Sequence, residues 1–247
     1  MSSYFSDESK KYPEVKNDRK RIVLDICGMI GAGKSTSLKG FQKIFENKDF
    51  SKKWPKFVNY PIKFFFERIN DTKLKDYYIG MQSNDPSVRS SAAIWYQIYS
   101  LAGRMEISQE IDTFDGICFR DRSVGEDDIF TLKHLKSGVI PQNIYDIYKK
   151  LLNSMIYLIK PTTLYIYLDA SIDRCLQSIK ERNGDNEKNG ENTIDEEYMK
   201  ELKEQYDIFR ENMKKLDNFI IIDYESFLTP EQLLDIIYKQ LCKRHVL

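Results

Sequence analysis

The chain has 247 residues, 41% hydrophobic and 13% aromatic, enough for one large α/β domain with a substantial core. Lysine plus arginine balance aspartate plus glutamate at 38 each, which argues against non-specific binding to nucleic acid or acidic membranes. Four scattered cysteines (Cys27, Cys118, Cys175, Cys242), no C-x-x-C pair and two histidines (His134, His245) argue against a zinc site or disulfide framework and fit a reducing compartment.

In chain order, residues 1–20 are polar and of mixed charge, which predicts a flexible tail. They lack the apolar centre of a signal peptide, and Asp7, Glu8 and Glu14 argue against a transit peptide. No apolar run approaches the length of a membrane span. A cytoplasmic enzyme with no membrane partner is therefore expected. Residues 21–27 form a continuous apolar strand, as in a parallel sheet covered on both faces. A helix is predicted from about Lys34 to Asn47, with Leu38, Phe41, Ile44 and Phe45 on its buried face. Phe57-Val58-Asn59-Tyr60 reads as the second strand, ended by Pro61. Residues 62–115 read as mostly helical, with Trp95, Tyr96 and Tyr99 forming an aromatic stripe between Ser87 and Glu110. The third strand, Gly116–Phe119, runs into Arg120-Asp121-Arg122-Ser123, and a carboxylate at a strand's carboxyl end lies at the ligand crevice of an open α/β sheet. Helices follow over 127–135 and 141–158, a fourth strand over 163–168 and a helix over 172–182. Residues 183–196 lack periodicity, a helix spans 197–215, the fifth strand is 219–223 and a closing helix spans 230–244. The alternation predicts a single domain at 21–247 around a five-stranded parallel sheet with helices on both faces.

The strongest motif is Gly28-Met29-Ile30-Gly31-Ala32-Gly33-Lys34-Ser35-Thr36, which fits G-x-x-x-x-G-K-[ST]. Its glycines let backbone N–H groups approach a phosphate, and the following helix points its positive end at the same place. Lys34 would reach the outer phosphates and Ser35 would hold Mg²⁺. Guanine-nucleotide switches require N-K-x-D and D-x-x-G, and neither is found; Asn47-Lys48-Asp49 lacks the spacing. The segment at about 180–196 instead suits a lid over phosphates, with Arg182 at its edge to neutralise transition-state charge.

Several segments, in the right order over about residues 21–240, resemble the deoxynucleoside kinases. They are the phosphate loop, Trp95-Tyr96-Gln97-Ile98-Tyr99 with Arg104, and Asp121-Arg122-Ser123 with Glu126-Asp127 and Ile129-Phe130. Tyr167-Leu168-Asp169-Ala170 with Cys175-Leu176 and Ile179, then Glu197-Tyr198, continue the series. The resemblance implies a P-loop kinase three-layer fold and transfer of the γ-phosphoryl group of ATP, with Mg²⁺, to a deoxynucleoside 5′-hydroxyl. It implies that Gln97 reads the base and that Arg104 pairs with Asp127 over it, an arrangement favouring purines or deoxycytidine. It also implies that Asp121 orients Mg²⁺ or the acceptor, that Arg122 holds the 5′-oxygen and transferring group, and that Glu197 binds the 3′-hydroxyl. A homodimer is implied as well.

The chain departs from the family at the residue before the proline that ends strand two. A glutamate, the general base, is usual there; Tyr60 occupies that place here and becomes a substrate-side candidate. A phenol is a poor base at neutral pH. The family's sugar-contacting tyrosine is matched by Ser83, ahead of Pro86. Three readings are open. Positioning and electrostatics suffice, with Asp121 taking a late proton. Alternatively, the acceptor is a monophosphate that needs no base. In the third, Glu67 faces the site from the following helix, or merely pairs with Lys63. The first is favoured, with a monophosphate kinase as runner-up; a nucleotide-binding regulator without catalysis is the reading from a different class.

Overall fold

The structure, a computed structural model, describes residues 21–47, 49–183, 194–226 and 228–247. The expected tail at 1–20, and residues 184–193 of the expected lid, lie outside the described residues.

Five parallel strands form one sheet in the order β2-β3-β1-β4-β5. They are β1 (Ile22–Cys27), β2 (Ile62–Phe65), β3 (Ile117–Asp121), β4 (Leu164–Asp169) and β5 (Phe219–Asp223). Period-two alternation divides their side chains between two faces. Val23, Phe65 and Cys118 pack under Ile107 and Ile111 of a long helix, α4 (Pro86–Thr113). Leu24, Ile26 and Phe119 join Leu38 and Phe41 of α1 (Lys34–Glu46) and Leu233 and Ile237 of the last helix, Pro230–Lys243. The Phe41 and Phe119 rings sit 5.5 Å apart. The remaining helices between these are α2 (Phe50–Lys53), α3 (Asp71–Met81), α5 (Asp127–Lys136), α6 (Gln142–Ile156), α7 (Ile172–Asn183) and α8 (Glu196–Met213); the last helix is α9. The expected three-layer α/β fold is the one found.

The second strand is a correction. Residues 57–60 are not extended; Pro55–Asn59 forms a short 3₁₀ turn, and the strand begins after Pro61. Proline has no N–H to offer a ladder, so it is tolerated at the start of an edge strand. Its carbonyl accepts the first cross-strand bond, from the Ile117 N–H at 2.8 Å. The expected helix over 62–65 gives way to the sheet because Phe64 stacks on Phe119 with ring centroids 5.2 Å apart.

A buried polar network lies inside the sheet. Asp25 of β1, fully buried, accepts from Arg120 Nε at 2.8 Å and Nη2 at 2.6 Å, and from the Thr162 hydroxyl at 2.7 Å. Arg120 Nη1 donates to Ser108 Oγ on α4 at 3.1 Å, and that hydroxyl donates to the Arg104 carbonyl at 2.9 Å. The network thus ties α4 to the sheet beneath it. Burial holds the Asp25 pKa above the ordinary carboxylate value, with Arg120 opposing. Arg120→Met leaves a buried carboxylate unpaired, and urea denaturation should report a loss of about 3–5 kcal/mol at pH 8. Without Arg120 the folded-state pKa rises further above the unfolded one. The loss should therefore shrink toward pH 5, where the native protein takes up the compensating proton.

Candidate active site

The parallel order sets the carboxyl ends of β1, β3 and β2 side by side, Ile26 opposite Asp121 and Phe65 opposite Arg120. Each end delivers functional groups. From β1 comes the phosphate loop. Gly31 has φ 81°, and a Cβ there would lie 2.3 Å from the Cys175 carbonyl oxygen, so only glycine fits both the conformation and the space. Lys34 is buried and donates from Nζ to the carbonyls of Gly28 (2.8 Å) and Met29 (2.7 Å). Burial, then the nearby Arg122 cation, lowers its pKa to about 8. No side chain caps the amino end of α1, so its first N–H groups and helix dipole face the loop.

β3 delivers Asp121 and Arg122. Ser35 Oγ donates to Asp121 Oδ2 in a short hydrogen bond. The other oxygen, Oδ1, is buried without a hydrogen-bond partner among the described residues. Burial raises the Asp121 pKa and Lys34 opposes the rise. An orphaned carboxylate oxygen beside a serine hydroxyl fits a hard cation that takes its other ligands from phosphate and water, as Mg²⁺ does. Three-residue clusters of His, Cys, Asp and Glu able to hold a metal are absent among the described residues. Arg122 adopts φ 68°, a left-handed conformation that costs a residue other than glycine of order 1–3 kcal/mol and recurs at functional sites. The turn aims its guanidinium inward. Nη1 donates to Tyr206 Oη at 2.6 Å and to the Gly28 carbonyl at 3.3 Å, and the cation lies 5.1 Å over the Phe130 ring. Glu126 supports this corner. Oε1 accepts from the Gly28 N–H (3.0 Å) and the Tyr206 hydroxyl (3.2 Å), and Oε2 from the Ser123 N–H (2.8 Å).

β2 delivers Glu67, two residues beyond its last position, from an irregular turn rather than a helix. Oε1 accepts from Arg104 Nη2 at 2.8 Å and Oε2 from Arg122 Nε at 3.2 Å. Burial works to raise its pKa, but Arg104 and Arg122 together pull it below the ordinary value, so the carboxylate is ionised at neutral pH. Lys63, the alternative partner, lies 3.6 Å from Glu110 instead. Arg104 Nη1 also approaches Asp127 Oδ1, in the first turn of α5, at 2.8 Å. Burial outweighs that cation and lifts the Asp127 pKa to about 7. Gln97 is buried on the same face of α4, two turns before Arg104. Beside it Tyr96 stacks on Tyr77 at 4.9 Å, and Tyr77 Oη lies 3.1 Å from Nε2 of a buried His134.

The structure thus brings together Lys34, Ser35, Asp121, Arg122, Arg104 and Asp127, with Gln97 on the adjoining helix face. Tyr60 is a correction. It precedes β2, so it sits at the amino edge of the sheet, opposite the phosphate loop, and packs against the core. Arg182, in the last turn of α7, and Glu197, in the first turn of α8, are both exposed, on either side of 184–193. Sequence reasoning placed Glu67 third and gave Glu126 and Tyr206 no role. The signal for Glu67 was present: an acid directly after Ile62-Lys63-Phe64-Phe65-Phe66, the arrangement that singled out Asp121.

Residues 24–246 match the family model described as deoxynucleoside kinase. A deoxyadenosine kinase of Dictyostelium discoideum is 30% identical over 212 residues, 86% of this chain and 76% of that protein. Solved structures of deoxyadenosine kinase from M. mycoides share the fold. The one with bound dCTP has TM-score 0.65 and 23% identity over 90% of this chain and 100% of that one. The one with bound dATP has TM-score 0.66 and 24% identity over 89% and 98%.

The Lys34 environment predicts a proton linkage. Free protein at pH 8.5 has a largely neutral Lys34, and an arriving polyphosphate favours its cation. Calorimetry of ATP binding at pH 8.5, in buffers of different ionisation enthalpy, should register proton uptake. Lys34→Arg, charged throughout, should abolish the uptake.

Proposed function

The chain belongs to the deoxynucleoside kinase family, and we propose that it transfers the γ-phosphoryl group of ATP to the 5′-hydroxyl of a deoxynucleoside with a purine base, deoxyadenosine first. The observation that carries this reading is the Glu67 carboxylate, ionised and held between Arg104 and Arg122 beside the phosphate loop. A base in that place removes the reason to prefer a monophosphate acceptor or a regulator without catalysis. Asp121 is less suited to take the proton, because its place beside Ser35, with one oxygen left without a donor, is the one proposed for Mg²⁺.

Phosphoryl transfer needs positioning and charge stabilisation more than a strong base. Glu67 orients the hydroxyl and accepts its proton late, as negative charge leaves the attacking oxygen. Arg122 and Lys34 face the charge that develops on the transferred group, and the amino end of α1 adds its dipole. Ser35 and Asp121 would hold Mg²⁺, which when bound neutralises and orients the β- and γ-phosphates. Gln97 supplies a planar donor–acceptor pair, a match for the N6/N7 edge of adenine, and Arg104 with Asp127 closes that side. The deoxyadenosine kinase relative supports the purine reading. Arg182 and Glu197 remain the candidates for the phosphates and the 3′-hydroxyl. Four free cysteines fit a cytoplasmic, reducing location.

A second copy of the chain is the proposed partner. Ile144, Ile147, Leu151 and Met155 recur at three- and four-residue spacing along α6, Leu158 continues the stripe just past its end, and Ile147 and Leu158 are 65% and 73% exposed. On α4, which packs against α6, Trp95 is 68% exposed. Such a stripe flanked by a tryptophan fits helix-on-helix association.

Three measurements test these readings. A labelled-phosphate assay over the four deoxynucleosides and their monophosphates should give the fastest turnover with deoxyadenosine, and turnover of monophosphates alone would reject the nucleoside reading. Glu67→Gln should lower kcat by roughly 10²–10⁴-fold. Light scattering should return a dimer for the wild type and a monomer for Ile147→Lys/Leu151→Lys; a monomeric wild type at micromolar concentration would discard the dimer.

A further inference from the structure

Glu67 sits in a turn, residues 66–70, between β2 and the Asn70-capped start of α3. Within it the Ile69 N–H donates to the Glu67 carbonyl at 3.2 Å. Backbone bonding of that kind constrains one peptide, not the orientation of the turn against the sheet. The residue after Glu67 is Arg68, and its side chain leaves on the outer side. Arg68 Nη1 donates to Glu106 Oε2 at 2.7 Å, and Nη2 donates to Glu110 in a shorter hydrogen bond. Both acceptors lie on α4, one turn apart, and Lys63 of β2 also reaches Glu110. The turn rests directly on this helix: a Cβ at Gly103 would lie 3.7 Å from the Arg68 Cβ.

Consecutive residues therefore grip the same helix at two places. Glu67 takes Arg104 on the inside, and Arg68 takes Glu106 and Glu110 on the outside. We propose that Arg68 is a positioning residue for Glu67, its guanidinium bridging Glu106 and Glu110 so that the turn holds the carboxylate against Arg104 and Arg122. The proposal rests on the reading of Glu67 as the proton acceptor. The Arg68 side chain is 43% exposed, and exposed ion pairs contribute little to global stability. Its effect belongs instead to geometry, because a displacement of about 1 Å at a reacting group costs on the order of 10²-fold in rate. A turn released from α4 also takes Glu67 away from the two cations that keep its pKa low, so the pH dependence should move with the rate.

The experiment compares Glu67→Gln, Arg68→Gln, Arg68→Lys and the double variant Glu67→Gln/Arg68→Gln in the full chain, by kcat, KM for ATP, pH profile and melting temperature. Arg68→Gln should lower kcat by roughly tenfold or more and shift the acid limb of its pH profile upward, with KM for ATP and melting temperature near wild type. Arg68→Lys should recover part of the rate. The double variant should be no slower than Glu67→Gln, because the latch acts only through that carboxylate. A wild-type rate and acid limb in Arg68→Gln, with Glu67→Gln inactive, would overturn the latch and leave the base reading standing. A loss of rate that tracks melting temperature, with the acid limb unmoved, would likewise overturn it. A wild-type rate in Glu67→Gln would remove the base reading and the latch with it.

Discussion

A partly buried carboxylate gripped by two guanidiniums is the interaction on which the proposed acceptor site depends. Glu67 joins three elements that are remote in the chain: the turn after β2, helix α4 through Arg104, and the end of β3 through Arg122. Each cation serves two acids, since Arg104 also meets Asp127 at 2.8 Å and Arg122 lies 3.7 Å from Glu126. Burial of that many charges is costly unless each is paired. Pairing in turn constrains where the helices can sit on the sheet.

The charge pattern has a consequence for ligand chemistry. The cations Lys34, Arg104 and Arg122 face the buried carboxylates Asp121, Glu126 and Asp127 and the partly buried Glu67 within one region. With Asp127 titrating at about 7, the region is close to neutral and has little positive charge to spare for a polyphosphate. A divalent cation held by Asp121 and Ser35 would supply that charge where the carboxylate oxygen lacks a donor. The loop N–H groups and the amino end of α1 add partial charges that are not titratable.

Support for this cluster comes from below and from the side. The Asp25–Arg120 pair, with Thr162 and Ser108, bonds α4 to the sheet one turn from Arg104. Glu126 spans the phosphate loop, the β3 end and Tyr206 of α8. These contacts hold the acceptor-side helix and the nucleotide loop in one frame, which matters because catalysis by positioning tolerates small errors poorly.

Local chemistry made much of this legible. The phosphate loop is specified by contiguous residues whose glycines and lysine have one good use, and the four long apolar or catalytic-end strands follow from hydrophobic runs bounded by turn residues. Gln97, Arg104, Asp121, Arg122 and Asp127 came from short motifs in a shared order, and Arg104, Arg122 and Asp127 prove to be linked by ion pairs, the two arginines through Glu67. The second strand was misplaced because Phe57-Val58-Asn59-Tyr60 is as apolar as Ile62-Lys63-Phe64-Phe65, and Pro61 both ends one strand and begins another equally well. Tertiary pairing decided between them: only the second segment stacks Phe64 on Phe119 and ladders onto β3. That shift moved the candidate carboxylate from a place Tyr60 had filled to Glu67, and it exposed the two arginines on it. The sequence alone marked the turn after β1 as a phosphate loop, because the motif carries its own geometry. What meets that phosphate was decided by strand order, since the groups that do so lie dozens of residues apart and converge only when parallel pairing aligns three strand ends.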